Sequence, residues 1–190
     1  RALADGARWP SLFVSVNLSP VQIRSRGLAD DVAAVLADTG MPASRLVLEL
    51  TEGILIDDPE DTQHKLDALR ALGASIALDD FGTGYSSLSY LQKFHFDRVK
   101  IDRTFVASLG TTANTGAIIQ SIVTLGHALG MKVLAEGVET DEQRVLLRLA
   151  GCDEMQGFLF AKALPAAAID NIVAKAQAAR AMQRGGKAAS

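Results

Sequence analysis

Cysteine occurs once, at Cys152, so no disulfide can close within the chain, which fits a reducing compartment. Histidine occurs three times, at His64, His95 and His127, scattered and without the spacing of a metal site; these read as surface or satisfied side chains. No apolar run approaches the length of a membrane span, and no signal-peptide pattern is seen. An excess of basic charge is also missing: the formal net charge is -3, which leaves no footprint for a nucleic-acid polymer. An anionic ligand would therefore depend on local cations or on metal ions. The first residue is Arg1 rather than methionine, and the sequence reads as part of something longer. What is plentiful is apolar side chain: 48% of 190 residues, enough for one good core and at most a small second one.

Short apolar runs alternate with helical stretches. Leu12 to Asn17, Leu46 to Leu50, Ser75 to Leu78, Arg98 to Asp102, Lys132 to Glu136 and Met155 to Phe160 read as strands. Helices are predicted from about Pro20 to Asp38, from Asp57 to Leu72, from Ser86 to Gln92 and from about Asn114 to Leu129. Two more are predicted, from Thr140 to Ala150 and from Pro165 to about Met182. Six βα units in strict alternation demand a parallel sheet with helices packed on it. An open doubly wound sheet and a (β/α)8 barrel compete. Asn17, Glu49, Asp79, Lys100, Glu136 and Gln156 all fall at or near predicted strand C-termini. An open sheet builds its site mainly at one switch point, whereas a barrel brings all strand ends to one mouth. So many contributing strands favour the barrel, and no Gly-x-Gly-x-x-Gly loop follows the first strand to support a dinucleotide fold.

The most informative stretch is Ile76-Ala77-Leu78-Asp79-Asp80-Phe81-Gly82-Thr83-Gly84-Tyr85-Ser86-Ser87-Leu88. Adjacent carboxylates repel each other unless a cation neutralises them, and hard divalent ions take oxygen ligands of this kind. Glu49, Asp79, Asp80 and Asn17 supply oxygen donors, Glu136 is a further carboxylate usable as ligand or base, and Lys100 can neutralise developing negative charge. This donor set suits phosphoester hydrolysis, in which two metal ions ~3.5–4 Å apart clamp the attacking and leaving oxygens. Each residue also has a plainer reading. Glu49 and Glu52 could be solvated strand-end carboxylates, and Lys100 could pair structurally with Asp102 or Asp97. Asn17 could cap the next helix, and Gln156-Gly157 could be a bulge. Their shared position at strand ends favours a site.

The chain resembles the EAL domain, the cyclic-di-GMP-specific phosphodiesterase domain of bacterial signalling proteins. The resemblance runs in order through Val16-Asn17-Leu18-Ser19, Leu48-Glu49-Leu50-Thr51-Glu52, Asp79 to Leu88, Lys100-Ile101-Asp102, Ala135-Glu136-Gly137-Val138-Glu139-Thr140 and Gly151-Cys152-Asp153 to Gln156-Gly157. It implies an α/β fold, a (β/α)8 TIM-barrel-like EAL fold. It also implies Mg²⁺ or Mn²⁺ at the barrel mouth, as two ions, and hydrolysis of cyclic-di-GMP to linear pGpG. By resemblance, Asn17, Glu49, Asp79 and Asp80 ligate metal, and Lys100 and Glu136 are catalytic, Glu136 as a metal ligand or as the general base. Gln156 and Asp102 lie against substrate, and Glu52 holds the loop after Asp79-Asp80, near a dimer contact.

The Glu-Ala-Leu tripeptide that names the family is absent, and Ala163-Leu164 stands where the family usually has Pro-Leu. The expectation is therefore about six βα units, with the first two barrel strands missing. The EAL domain would span residues 1–182 as its C-terminal three quarters, followed by a disordered tail at 183–190. The resemblance further implies a homodimer and a sensor or GGDEF domain upstream. It also implies a cytoplasmic domain in a parent free to be membrane-anchored. Weak or no turnover is expected of these 190 residues alone, with a non-catalytic cyclic-di-GMP-binding module as the alternative.

Overall fold

The computed structural model describes residues 12–82, 88–111, 114–165 and 168–174. Strands β1 (Val14–Asn17), β2 (Leu46–Thr51), β3 (Ser75–Phe81), β4 (Arg98–Ile101), β5 (Lys132–Ala135) and β6 (Glu154–Met155) form one sheet, ordered in space as in sequence. Every pairing is parallel. A sequential order has no point at which the winding reverses, so the strand ends gather at one mouth, as in a barrel wall. The fold is thus the TIM-barrel-like α/β arrangement expected, with six strands among the described residues.

Alternation along the strands separates two faces. Leu46, Leu48 and Leu50 of β2 belong to the main apolar core, as do Ile76 and Leu78 of β3, Val99 and Ile101 of β4, and Val133 of β5. Side chains out of phase with these stand on the opposite face, because successive strand residues point to opposite sides. Glu49, Ala77, Asp79 and Lys100 are of that phase, and all four are buried. Burial on both faces explains why β2 and β3 read as near-continuous apolar runs.

The helices are α1 (Pro20–Arg24), α2 (Leu28–Thr39), α3 (Ile54–Asp57), α4 (Pro59–Ala71), α5 (Leu88–Phe94), α6 (Arg103–Ala107), α7 (Thr115–Ala128) and α8 (Asp141–Leu149). A further helical segment covers 168–174. Local chemistry fixes their ends. Ser19 and Gln22 form a reciprocal capping box for α1, and Thr140 and Gln143 do the same for α8. The Asp58 side chain caps α4, accepting from the Asp61 amide.

Several expectations need correction. The helix predicted from Pro20 to Asp38 is two helices: the first ends where Ser25 turns extended (ψ 147°), and the second opens at Gly27 in a left-handed conformation (φ 81°). The third strand extends beyond Leu78 to Phe81 and carries both aspartates within it. The sixth strand, predicted from Met155 to Phe160, is only Glu154–Met155. There the chain turns across Val138: a Cβ on Gly157 would lie 2.2 Å from the Val138 carbonyl oxygen. Asn17 does not cap the next helix, since Ser19 does. The predicted start of the short helix at Ser86, the loop at 83–87 and the tail at 183–190 lie outside the described residues.

Candidate active site

The mouth is assembled from the ends of the strands. Asn17 is the last residue of β1, Glu49 lies in β2, Asp79 and Asp80 in β3, and Lys100 in β4. Glu136 directly follows β5, and Gln156 directly follows β6. Parallel register carries one position into the next: Asn17 stands opposite Glu49, and Thr51 opposite Asp79.

Lys100 sits at the centre. Its ammonium lies 2.6 Å from Glu49 Oε2, 2.8 Å from Asp79 Oδ1 and 2.8 Å from Glu136 Oε1. The side chain is only 5% exposed, so these contacts are shielded from water. Neither Asp102 nor Asp97 is its partner, contrary to the plainer reading. Asp97 accepts from the Ile76 amide (2.8 Å), and Asp102 caps α6 through the Thr104 amide (2.9 Å) and hydroxyl. Burial works to lower the Lys100 pKa, but hydrogen bonds to Asp79, Glu136 and Glu49 outweigh it and hold the amine above its ordinary value.

The carboxylates outnumber the cation. Asp79, Asp80 and Glu136 each offer an oxygen, and the three oxygens lie within 4.8 Å of one another. With Glu49, four carboxylates surround one ammonium, a formal excess of three negative charges. Burial raises the Glu136 pKa, Lys100 pulls it down, and Asp79 and Glu49 push it up again; the balance lies above the ordinary carboxylate value. Asp80 is also raised, first by burial, then by the charges of Asp79 and Asp102. Burial acts to raise Asp102, but hydrogen bonds from Thr104 and from the Arg103 amide bring it below its ordinary value. Surplus negative charge among oxygen donors, with raised carboxyls at its centre, fits a hard divalent cation.

The other expected site residues are distributed around this centre. The Gln156 amide donates to Glu136 Oε1 at 2.6 Å. Glu52, in the turn after β2, accepts from the Gly82 amide at 3.1 Å. Asn17 is exposed at the edge, beside Glu49 by register. Sequence reasoning missed Phe105, whose ring lies against Gly82. No local signal marks it, because the contact joins α6 to the end of β3. An apolar groove of about 420 Å³ lies elsewhere, between β1 and α2; among the described residues lining it, Asp31 is the one that is charged. Among the described residues no helix is long and apolar enough to cross a membrane.

Comparison with known proteins gives concordant matches. The EAL domain family model matches residues 1–163. The cyclic di-GMP phosphodiesterase RocR of Pseudomonas aeruginosa is 44% identical over 152 residues, covering 80% of this chain and 39% of RocR. The chain spans only 20–39% of the length of such curated relatives. Among solved structures, a cyclic di-GMP complex of the MucR phosphodiesterase superposes with a TM-score of 0.79 at 41% identity, covering 83% of this chain and 64% of that one. MucR of Pseudomonas aeruginosa carries the name bifunctional diguanylate cyclase/cyclic di-GMP phosphodiesterase. A manganese and cyclic di-GMP complex of Klebsiella pneumoniae BlrP1 superposes at 0.76 with 33% identity, covering 85% of this chain and 42% of that one.

Proposed function

We propose, on the premise that this chain belongs to the EAL domain family, that its strand-end site hydrolyses cyclic-di-GMP to linear pGpG with Mg²⁺ or Mn²⁺. The observation that carries the reading is the cluster around Lys100: one buried ammonium within 2.8 Å of carboxylates from β2 and β3 and from the end of β5. Glu49, Asp79 and Asp80 would hold the ions, with Asn17 at the edge and Glu136 as a further ligand or as the base. A bound divalent ion supplies charge neutralisation at phosphate and a lowered pKa for a coordinated water.

The chain's own residues do the rest. Lys100 holds Glu49, Asp79 and Glu136 in one geometry and places a positive charge where a phosphoryl oxygen gains negative charge. The raised pKa of Glu136 suits acceptance of a proton from the attacking water, and Gln156 fixes the orientation of that carboxyl. Asp102 and Gln156 would face the substrate, and Glu52 would steady the chain leaving β3 through the Gly82 amide. A homodimer, a sensor or GGDEF region upstream and a cytoplasmic location complete the reading.

The test is turnover of cyclic-di-GMP with Mn²⁺, comparing this chain with a version extended upstream and following pGpG by chromatography. Formation of pGpG, stronger in the extended version, is expected. Binding of cyclic-di-GMP without product from either protein at high enzyme concentration would replace the phosphodiesterase with a receptor module.

A further inference from the structure

Adjacent residues of a regular strand point to opposite faces. Asp79 is in phase with Ala77, on the mouth side, so a regular β3 would turn the Asp80 carboxylate toward the helices. Instead both carboxylates meet near Glu136. Two departures from regularity bring this about. The register of β3 against β4 shifts between Leu78 and Phe81, and Asp80 adopts φ 54°, in the left-handed region. That conformation is uncommon for a non-glycine residue, although aspartate tolerates it better than most, and neighbouring contacts help to hold it.

Helix α6 supplies some of those contacts. At its start stands Asp102, whose carboxylate accepts from the Thr104 amide and acts on Asp80 through its charge. One turn on, the Phe105 ring lies on Gly82, where an added Cβ would come within 2.9 Å of ring Cε2. Gly82 itself has φ 96° and donates its amide to Glu52. The same short helix also presses on the other side of the cluster. Gly137, next to Glu136, lies so close to Arg103 that a Cβ there would fall 2.7 Å from the Arg103 Cβ. Gln143 of α8 ties α6 down from behind, donating to the Val106 carbonyl at 3.2 Å. Thus α6 touches both segments that deliver carboxylates, one at Gly82 and one at Gly137.

We propose that Phe105 is a positioning residue: by seating α6 on Gly82 it holds the left-handed turn at Asp80 and sets the spacing of the Asp79–Asp80 pair from Glu136 for a divalent ion. This rests on the metal-dependent reading above. Hydrogen-bond partners of metal ligands change metal affinity by ~10–100-fold when removed, and the lower end of that range is expected for a packing contact such as Phe105 on Gly82.

The experiment measures Mn²⁺ affinity of the full chain by calorimetry and Gly82 amide exchange by NMR in wild type, Phe105→Ala, Phe105→Leu and Ile119→Val. Ile119 is a fully buried residue of α7, and its substitution serves as a control for general destabilisation. Phe105→Ala is expected to weaken Mn²⁺ binding by ~10-fold and to speed Gly82 exchange. Phe105→Leu should restore most of both, and Ile119→Val should leave the affinity unchanged. Wild-type affinity in Phe105→Ala, or an equal loss in Ile119→Val, overturns the assignment. If the wild type binds no Mn²⁺, the metal reading falls separately; Gly82 exchange then decides, and unchanged protection in Phe105→Ala overturns the role of Phe105.

Discussion

Replacing Lys100 by methionine keeps most of the stem and deletes the charge. The ammonium lies 2.6–2.8 Å from three carboxylates in a position sealed from water. At an effective dielectric of ~20, each contact has a gross attraction of about 6 kcal/mol. Desolvation cancels most of that, and breaking a buried pair by removing one partner costs about 3–5 kcal/mol net. Here the residue left behind is a cluster of carboxylates repelling one another, so the upper end of that range is expected in metal-free protein at neutral pH. For a domain of this size that upper end is roughly a 10–20 °C fall in Tm.

The pH dependence of the loss is equally specific. Lys100 pulls the Glu136 pKa down, so without it Glu136 rises further above its ordinary value of 4.5. A carboxyl raised in the folded state gives stability that is full below its unfolded pKa and lost as pH rises through the folded one. The gap between Lys100→Met and wild type should therefore be widest at neutral pH and shrink toward pH 4.5. Urea melts in EDTA across that range measure it. A saturating divalent ion would supply the missing charge, so excess Mn²⁺ should narrow the gap at neutral pH. A Lys100→Met protein within about 1 kcal/mol of wild type at neutral pH in EDTA would refute the reasoning, because it would show that the cluster does not need its cation.

Three further outcomes follow from the same geometry. Mn²⁺ binding should release protons and tighten as pH rises from mildly acidic to neutral, since Asp80 and Glu136 titrate above their ordinary values; calorimetry in buffers of different ionisation enthalpy reads the proton count. Gly157→Ala should prevent folding or cost more than about 3 kcal/mol in a urea melt, because its Cβ would enter the Val138 backbone, which cannot give way as a flexible side chain would. Arg98→Met should cost roughly 1–3 kcal/mol, since it removes the 2.9 Å contact to Glu154 and leaves that half-buried carboxylate without its closest cation.

What could be read from the sequence was what depends on local period and on strand ends. The apolar alternation of Leu46, Leu48 and Leu50 places Glu49 on the other face whatever the remaining strands do, and the same logic puts Lys100 out of phase with Val99 and Ile101. Glycine and capping residues marked most helix ends, but the break between Ser25 and Gly27 lies inside an otherwise helical pattern and was not read. Contacts across many residues were less legible. The partners of Lys100 lie up to 51 positions away, and nearer aspartates were equally plausible until the strands were set side by side. Likewise, an early end to β6 depends on Gly157 meeting Val138, two segments with no common local pattern.

The convergence of Asp79 and Asp80 shows why such features escape a linear reading. Adjacent carboxylates in sequence imply opposite faces if the strand is regular and a shared site only if it is not. The irregularity at Asp80 is opposed by its own backbone preference and by repulsion between the two carboxylates. It persists because its neighbours favour it: the Asp79 side chain accepts from the Asp80 amide, Glu52 accepts from Gly82, and Phe105 covers Gly82. A site that gathers like charge from successive residues therefore has to be held from outside the strand that bears them. In this chain that hold comes from the turn after β2 and from α6, neither of which contributes a carboxylate to the three-oxygen cluster.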